Sequence, residues 1–147
     1  MTLAMTREER EKFLAAVHIG IVSIADPPRG PLTVPIWYDY QPGRDLWLIT
    51  DRGSRKGKLL IEHRRFSLCV QDESPPYKYV TVQGPVVAIE AAEVERDVRP
   101  MAHRYLGAEM GDMYVAATAA EGGNAVLVRM KPETWLTVDY SKQYTLA

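Results

Sequence analysis

Asp51-Arg52-Gly53-Ser54-Arg55-Lys56-Gly57-Lys58-Leu59-Leu60-Ile61 is the stretch on which the reading of this chain turns. It follows an apolar, strand-like run, turns at Gly53 and opens a helix with Ser54 at the N-cap. Serine is favoured there because its oxygen accepts from amides one turn on. Arg55, Lys56 and Lys58 then fall in the first turn, where the helix dipole is positive and each cation is disfavoured by roughly 0.3–1 kcal/mol. A phosphate reverses that sign, since free amides and added cations converge on it. The stretch therefore reads as a phosphate-binding helix start, with a solvated basic face as the competing reading.

Working outward, the basic residues are concentrated. Arg52, Arg55, Lys56, Lys58, Arg64 and Arg65 are six of the eighteen Lys and Arg, while the net charge is only −1. That favours a local anionic ligand over nucleic acid or an anionic membrane, which need a wide positive field. The aromatic residues are not interleaved with the cations as stacking on single strands requires. A length of 147 residues suits one domain, 1–147, with a core that needs no staples. The single cysteine, Cys69, excludes an internal disulfide and fits a reducing compartment. No apolar run reaches membrane-spanning length and Met1 to Glu11 is polar, so the expected location is the cytoplasm.

The flanking chain reads as strands with helices inserted. Thr6 and Glu9 form a capping box ahead of a helix carrying Phe13, Leu14 and Val17. His18 to Ala25 is a buried strand, and Asp26-Pro27-Pro28-Arg29-Gly30 a turn. Leu32 to Tyr40 alternates with period two and forms a hairpin with Leu46 to Thr50, with an edge or bulge where Pro35 cannot donate. Arg65 to Gln71 is a strand. Tyr77 to Glu90 is a longer one, broken at Gly84-Pro85 as at a bulge or barrel corner. Val94, Val98, Met101, Ala102 and Tyr105 make a helical core stripe, which Pro100 should kink or divide into two short helices, and Met110 to Ala120 a further helix stopped at Gly122-Gly123. Asn124 to Met130 and Glu133 to Tyr140 are a closing pair of strands. The strands do not alternate strictly with helices. A mainly β fold follows, a six-stranded antiparallel split β-barrel with peripheral helices, since closure removes exposed edges.

Strand, hairpin, strand, then Gly53-Ser54-Arg55-Lys56, then Arg64-Arg65-Phe66-Ser67-Leu68 and a long strand with Gly84 resembles the pyridoxamine-phosphate-oxidase-like split barrels over residues 10–140. In that superfamily the Ser-Arg-Lys turn holds the phosphate of FMN or of the deazaflavin coenzyme F420. Pro35-Ile36-Trp37-Tyr38 resembles the Pro-Val-Trp-Phe/Tyr segment of the deazaflavin-using branch. The resemblance implies that Arg55 and Lys56 bind phosphate, assisted by Ser54 and Lys58. It implies further that Val34, Pro35, Ile36 and Trp37 face the ring, that Ile49 and Thr50 touch the cofactor, and that Tyr79 falls at a ring-contacting position. It also implies a homodimer with the cofactor at the interface, where Trp135 or the tail reaches the partner's site. The segment from Trp135 to Ala147 lacks the Arg-containing stretch with which pyridoxamine phosphate oxidases grip substrate, which argues against vitamin B6 oxidation.

The expected function is an F420-dependent oxidoreductase that moves a hydride to or from a small organic substrate. FMN in the same fold is the alternative, and a non-catalytic flavin, deazaflavin or haem carrier is the third reading. No side chain is assigned as catalytic, because hydride chemistry belongs to the cofactor. The sequence has no GxSxG, HExxH, CxxC or Walker loop. His18, His63 and His103 are too scattered for a metal set and read as structural, Cys69 as an inert buried thiol, and Asp72 and Glu73 as solvated loop charges. Tyr38, Tyr77 and Tyr79 read as packing in preference to ring contacts.

Overall fold

A computed structural model describes residues 2–121 and 123–144. Eight strands run β1 (Gly20–Ile24), β2 (Leu32–Ile36), β3 (Tyr38–Asp39), β4 (Leu46–Asp51), β5 (Arg65–Gln71), β6 (Lys78–Ala91), β7 (Ala125–Met130) and β8 (Thr134–Asp139). The helices are α1 (Arg7–Ala15), α2 (Arg55–His63) and α3 (Arg99–Thr118), with a π-turn at Val94–Val98 leading into α3.

All pairing is antiparallel, in the order β2-β1-β5-β6-β7-β4-β3, and β8 joins β6 off that path. β2 and β3 are pieces of one run interrupted at Trp37, so the two ends of the order are covalently continuous and the sheet curls back on itself. The split barrel is thus as expected, with eight strands in place of six. The interruption at Trp37 divides one expected strand, and β8 lies beside the closed path. Pro35 stands opposite Ile21 in β2, whose other edge pairs with no described strand, which suits a residue without an N–H.

Gly84 is where the barrel splits. Before it, β6 pairs with β5 on one side and β8 on the other; beyond it, β7 takes over from Val86 on, with a bulge between Val86 and Ala88. The link from β7 to β8 crosses this point, with Lys131 N–H donating to Pro85 O (3.0 Å) and Glu133 N–H to Gln83 O (2.9 Å). A Cβ at Gly84 would lie 1.9 Å from the Lys131 carbonyl oxygen, so only glycine admits the crossing. β7 and β8 therefore do not pair with each other, contrary to the expected closing pair. Each uses a different half of β6.

Inside the barrel, Val22, Leu46, Leu48, Leu68, Val80, Val82 and Val128 are fully buried, with Tyr38 among them. Alternation along each strand sends these in and their neighbours out. The α1 capping box forms as expected: Thr6 Oγ1 accepts from Glu9 N–H (3.2 Å), and Glu9 accepts from Thr6 N–H (2.8 Å).

Of the kink or two short helices expected around Pro100, the second is found: the π-turn Val94–Val98 ends where α3 begins at Arg99. Pro100 sits in the first turn of α3, where a missing N–H costs nothing. A further break falls at Gly107 (φ 81°, ψ 175°), which gives two helical segments and supports the expected separate helix from Met110. They pack closely, since a Cβ at Gly111 would come within 2.5 Å of the His103 ring. His103 Nε2 and Asp112 Oδ1 are 2.7 Å apart, and Arg99 donates to the same carboxylate at 2.6 Å. The expected stop at Gly122-Gly123 falls partly on Gly122, outside the described residues.

Candidate functional site

The chain after β4 is drawn tight before α2 begins. Asp51 Oδ1 accepts from Gly53 N–H (2.7 Å), and Arg52 N–H donates to Asn124 O on the strand side (2.8 Å). Ser54 is the N-cap: its hydroxyl donates to Asp51 O (2.7 Å) and accepts from Gly57 N–H (3.0 Å). The Thr50 hydroxyl lies 3.3 Å from Ser54 Oγ. Gly57 permits this approach, because a Cβ there would lie 2.1 Å from Asp51 O. The first-turn amides of Arg55 and Lys56 have no intrahelical acceptor, as at any helix start.

Beside this helix start opens a cleft of about 780 Å³, within the range of small-molecule sites. Pro35, Ile36, Trp37 and Ile49 form an apolar wall, and Thr50, Ser54 and Lys56 a polar end. Asp51 and Glu121 bring two carboxylates to the lining, the first already bonded to Gly53 N–H. Burial lowers the Lys56 pKa from its ordinary value, so an anion beside it would recover some of the lost solvation. The second half of α3 supplies a cover through Tyr114, Val115 and Thr118, and Val94 and Val98 complete the rim.

Seven of the eleven expected site residues meet here: Pro35, Ile36, Trp37, Ile49, Thr50, Ser54 and Lys56. The structure places the other four outside the lining. Val34 stands opposite Val22 and packs against the core. Lys58 is exposed on the next part of α2. Tyr79 lies between Gln71 and Val138 in the sheet. Arg55 reaches across to the β1–β2 turn and donates to Asp26 Oδ2, a carboxylate that Arg29 also grips at 3.1 and 3.2 Å. Arg29 first and Arg55 second hold the Asp26 pKa down at about 2.

Trp37 is itself held by rings. It stacks on Tyr105 at 5.1 Å and 6°, and Tyr114 lies 5.3 Å away at a tilt. The Tyr105 hydroxyl donates to His18 O (2.6 Å) and accepts from Tyr38 N–H (3.1 Å), supplying the partner that the strand break at Trp37 removes. Arg104 clamps the same corner, donating to Tyr38 O (3.1 Å) and to the Ala15 and Ala16 carbonyls (3.2 Å each). Val94 and Val98, expected as core, line the cleft instead. The cover from α3 was missed, because no sequence signal says over which strands a helix folds.

Other expectations resolve plainly. Tyr38 is fully buried and its hydroxyl donates to Leu14 O (2.6 Å), a packing role. His18 stacks on Phe13 and bonds to its carbonyl oxygen. Cys69, expected to be buried, is partly exposed because it faces outward from β5. Trp135 packs edge-on against Tyr40 beneath the Arg10 guanidinium, and the end of the tail lies outside the described residues. Among the described residues no helix is long and apolar enough to cross a membrane.

The pyridoxamine 5'-phosphate oxidase family model matches residues 6–139, which takes in every strand of the barrel and the Ser54-Arg55-Lys56 turn. The chain belongs to that family. None of the curated proteins matches the sequence. Among solved structures, the conserved hypothetical protein Rv2991 from Mycobacterium tuberculosis is similar, with a TM-score of 0.77 and 21% identity over 97% of this chain and 89% of that one. An F420 reductase is similar with a TM-score of 0.61 and 18% identity, over 86% of this chain and 94% of that one. The haem storage protein HutZ from Vibrio cholerae has a TM-score of 0.58 and 15% identity, over 90% and 89%. At these identities the likeness establishes the pyridoxamine 5'-phosphate oxidase fold, and that fold serves reductases and storage proteins alike.

Proposed function

We propose that this chain is an oxidoreductase that binds coenzyme F420 in the cleft and exchanges a hydride between it and a small organic substrate. One observation carries the reading: a single cleft joins the apolar wall Pro35-Ile36-Trp37 and Ile49 to a polar end of Thr50, Ser54 and Lys56. That pairing suits a planar ring with a phosphate at one end. Lys56 and the free amides at the start of α2 would hold the phosphate. Trp37, fixed by Tyr105 and Tyr114, would set the ring's height in the cleft. The cofactor supplies the hydride chemistry, and the protein supplies binding, orientation and exclusion of water.

The proposal includes a homodimer. A row of outward residues crosses five strands in register, Pro35, Ile21, Cys69, Thr81 and Leu136. Leu136 is 60% exposed and Ile21 39%. Pro35 belongs both to this row and to the cleft, so a second copy seated on the row would border the cofactor. The lone cysteine supports placing the protein in a reducing cytoplasm.

Titrating the purified protein with F420 and with FMN, followed by ligand fluorescence, tests the assignment. Tighter binding of F420 is expected, together with turnover of the reduced form on a panel of enones and quinones. Preference for FMN would move the function to flavin chemistry, and binding without turnover would make the protein a carrier.

A further inference from the structure

The outer face of β4 and β7 carries a second hollow, of about 450 Å³, formed by Gln41, Gly43, Arg44, Asp45, Trp47 and Arg129. Trp47 and Arg129 stand directly opposite each other in the β4–β7 ladder. Their neighbour on the next strand is Ala88, opposite Arg129 on β6, whose methyl group leaves room beside the guanidinium. The third side is a tight turn, with Arg44 N–H donating to Gln41 O (2.9 Å) and Gly43 at φ 80°. Pro42 before that glycine gives the sequence a type II turn requires, so Arg44 is presented from a stiff support.

What separates this hollow from an ordinary charged surface is that none of its groups is held in an ion pair or a ring contact among the described residues. Of the three tryptophans, Trp37 is stacked on Tyr105, and Trp135 lies against Tyr40 and Arg10. Trp47, among the described residues, has neither a ring nor a cation over its face. Arg44, Arg129 and Asp45 likewise take part in none of the ion pairs formed among the described residues. Most other arginines of the chain do, including Arg55, Arg65, Arg96 and Arg99.

We propose that this hollow is a binding site for a planar aromatic monocarboxylate, separate from the cofactor cleft. Its ring lies on Trp47, and its carboxylate is taken by Arg129 and Arg44, which suit planar two-point recognition. Two cations and one carboxylate leave the hollow with a formal charge of +1, which balances a monoanion. Asp45 opposes a dianionic phosphate and accepts from a hydroxyl or amino group on the ring. The site does not depend on the cofactor reading, because no residue lines both, although Trp47 and Ile49, two apart on β4, share one face of the sheet.

The test uses the full chain labelled with 15N, in which three tryptophan indole N–H signals are assigned, titrated with 4-hydroxybenzoate and with phenyl phosphate. A saturable shift of the Trp47 signal by 4-hydroxybenzoate is expected, with Trp135 unmoved. Affinity should fall about tenfold or more in Arg129→Gln and in Arg44→Gln, the scale of a lost charge-assisted hydrogen bond. Arg44 sits on an exposed turn, so its variant keeps the test open if Arg129→Gln misfolds. Absence of a saturable shift at millimolar ligand, affinity equal to wild type in both arginine variants, or tighter binding of phenyl phosphate would each overturn the proposal.

Discussion

At the residue scale, the two cations of the Ser54-Arg55-Lys56 turn part company. Lys56 lines the cleft, half-buried and unpaired with any carboxylate among the described residues, whereas Arg55 is committed to Asp26. Lys56→Gln should therefore weaken cofactor binding by about 1.5–3 kcal/mol, the scale of a hydrogen bond to a charged group. Arg55→Gln should cost less, because the wild-type arginine must leave Asp26 to reach a phosphate. Equal dissociation constants for Lys56→Gln and wild type in a fluorescence titration would refute the assignment. The Asp26 bridge also has a pH signature. Its folded pKa of about 2 lies below the ordinary aspartate value of 3.8. The stabilisation is thus complete above the ordinary carboxylate range and fades as pH falls from about 4 towards 2. Denaturant melts of wild type and Asp26→Asn should converge over that window, and a constant gap would contradict the bridge. The sequence made the cationic cluster legible. It could not show that one cation is spent on a turn twenty-nine residues back, since such pairing is set only by how β1 lies against α2.

At the element scale, breaks in regular structure are satisfied by side chains from elsewhere. The strand broken at Trp37 is mended by the Tyr105 hydroxyl, which serves Tyr38 N–H and His18 O together. Tyr105→Phe should cost about 1–3 kcal/mol, leaving both groups unmet, and chemical denaturation would measure it. A change within experimental error would mean that water replaces the hydroxyl. Gly84→Val should cost about 3 kcal/mol or more, because the Lys131 carbonyl oxygen occupies the space a side chain needs. A stable Gly84→Val variant would show that the crossing can move aside. Strand periodicity, the α1 capping box and the corner at Gly84 were all readable, because each is a local pattern. At Pro100 the sequence left open whether one helix kinks or two short ones meet, because a proline inside a periodic stripe looks the same whether the helix starts before it or at it. The second half of α3 was expected as a helix, but its place over the cleft depends on the turn at Gly107.

At the scale of the whole molecule, the outward row from Pro35 to Leu136 is a surface a partner would cover, since exposed apolar strips of this kind mark association sites. Leu136→Glu should convert the proposed dimer to monomer, read by sedimentation, and should weaken cofactor binding in parallel if the cleft lies at the interface. A monomeric wild type would remove that part of the proposal. The barrel class was legible because strands outnumber helices and do not alternate with them. The pairing of β8 was not, because antiparallel register on a shared strand leaves no mark in β8 itself.

The split at Gly84 has one more consequence. A strand that belongs to both walls is a common wall stud: neither side of the house can be taken down and leave the other standing. The chain should therefore have no half-folded state in which one sheet survives alone, and loss of order anywhere along Lys78–Ala91 should propagate to the cofactor cleft and the outer hollow together.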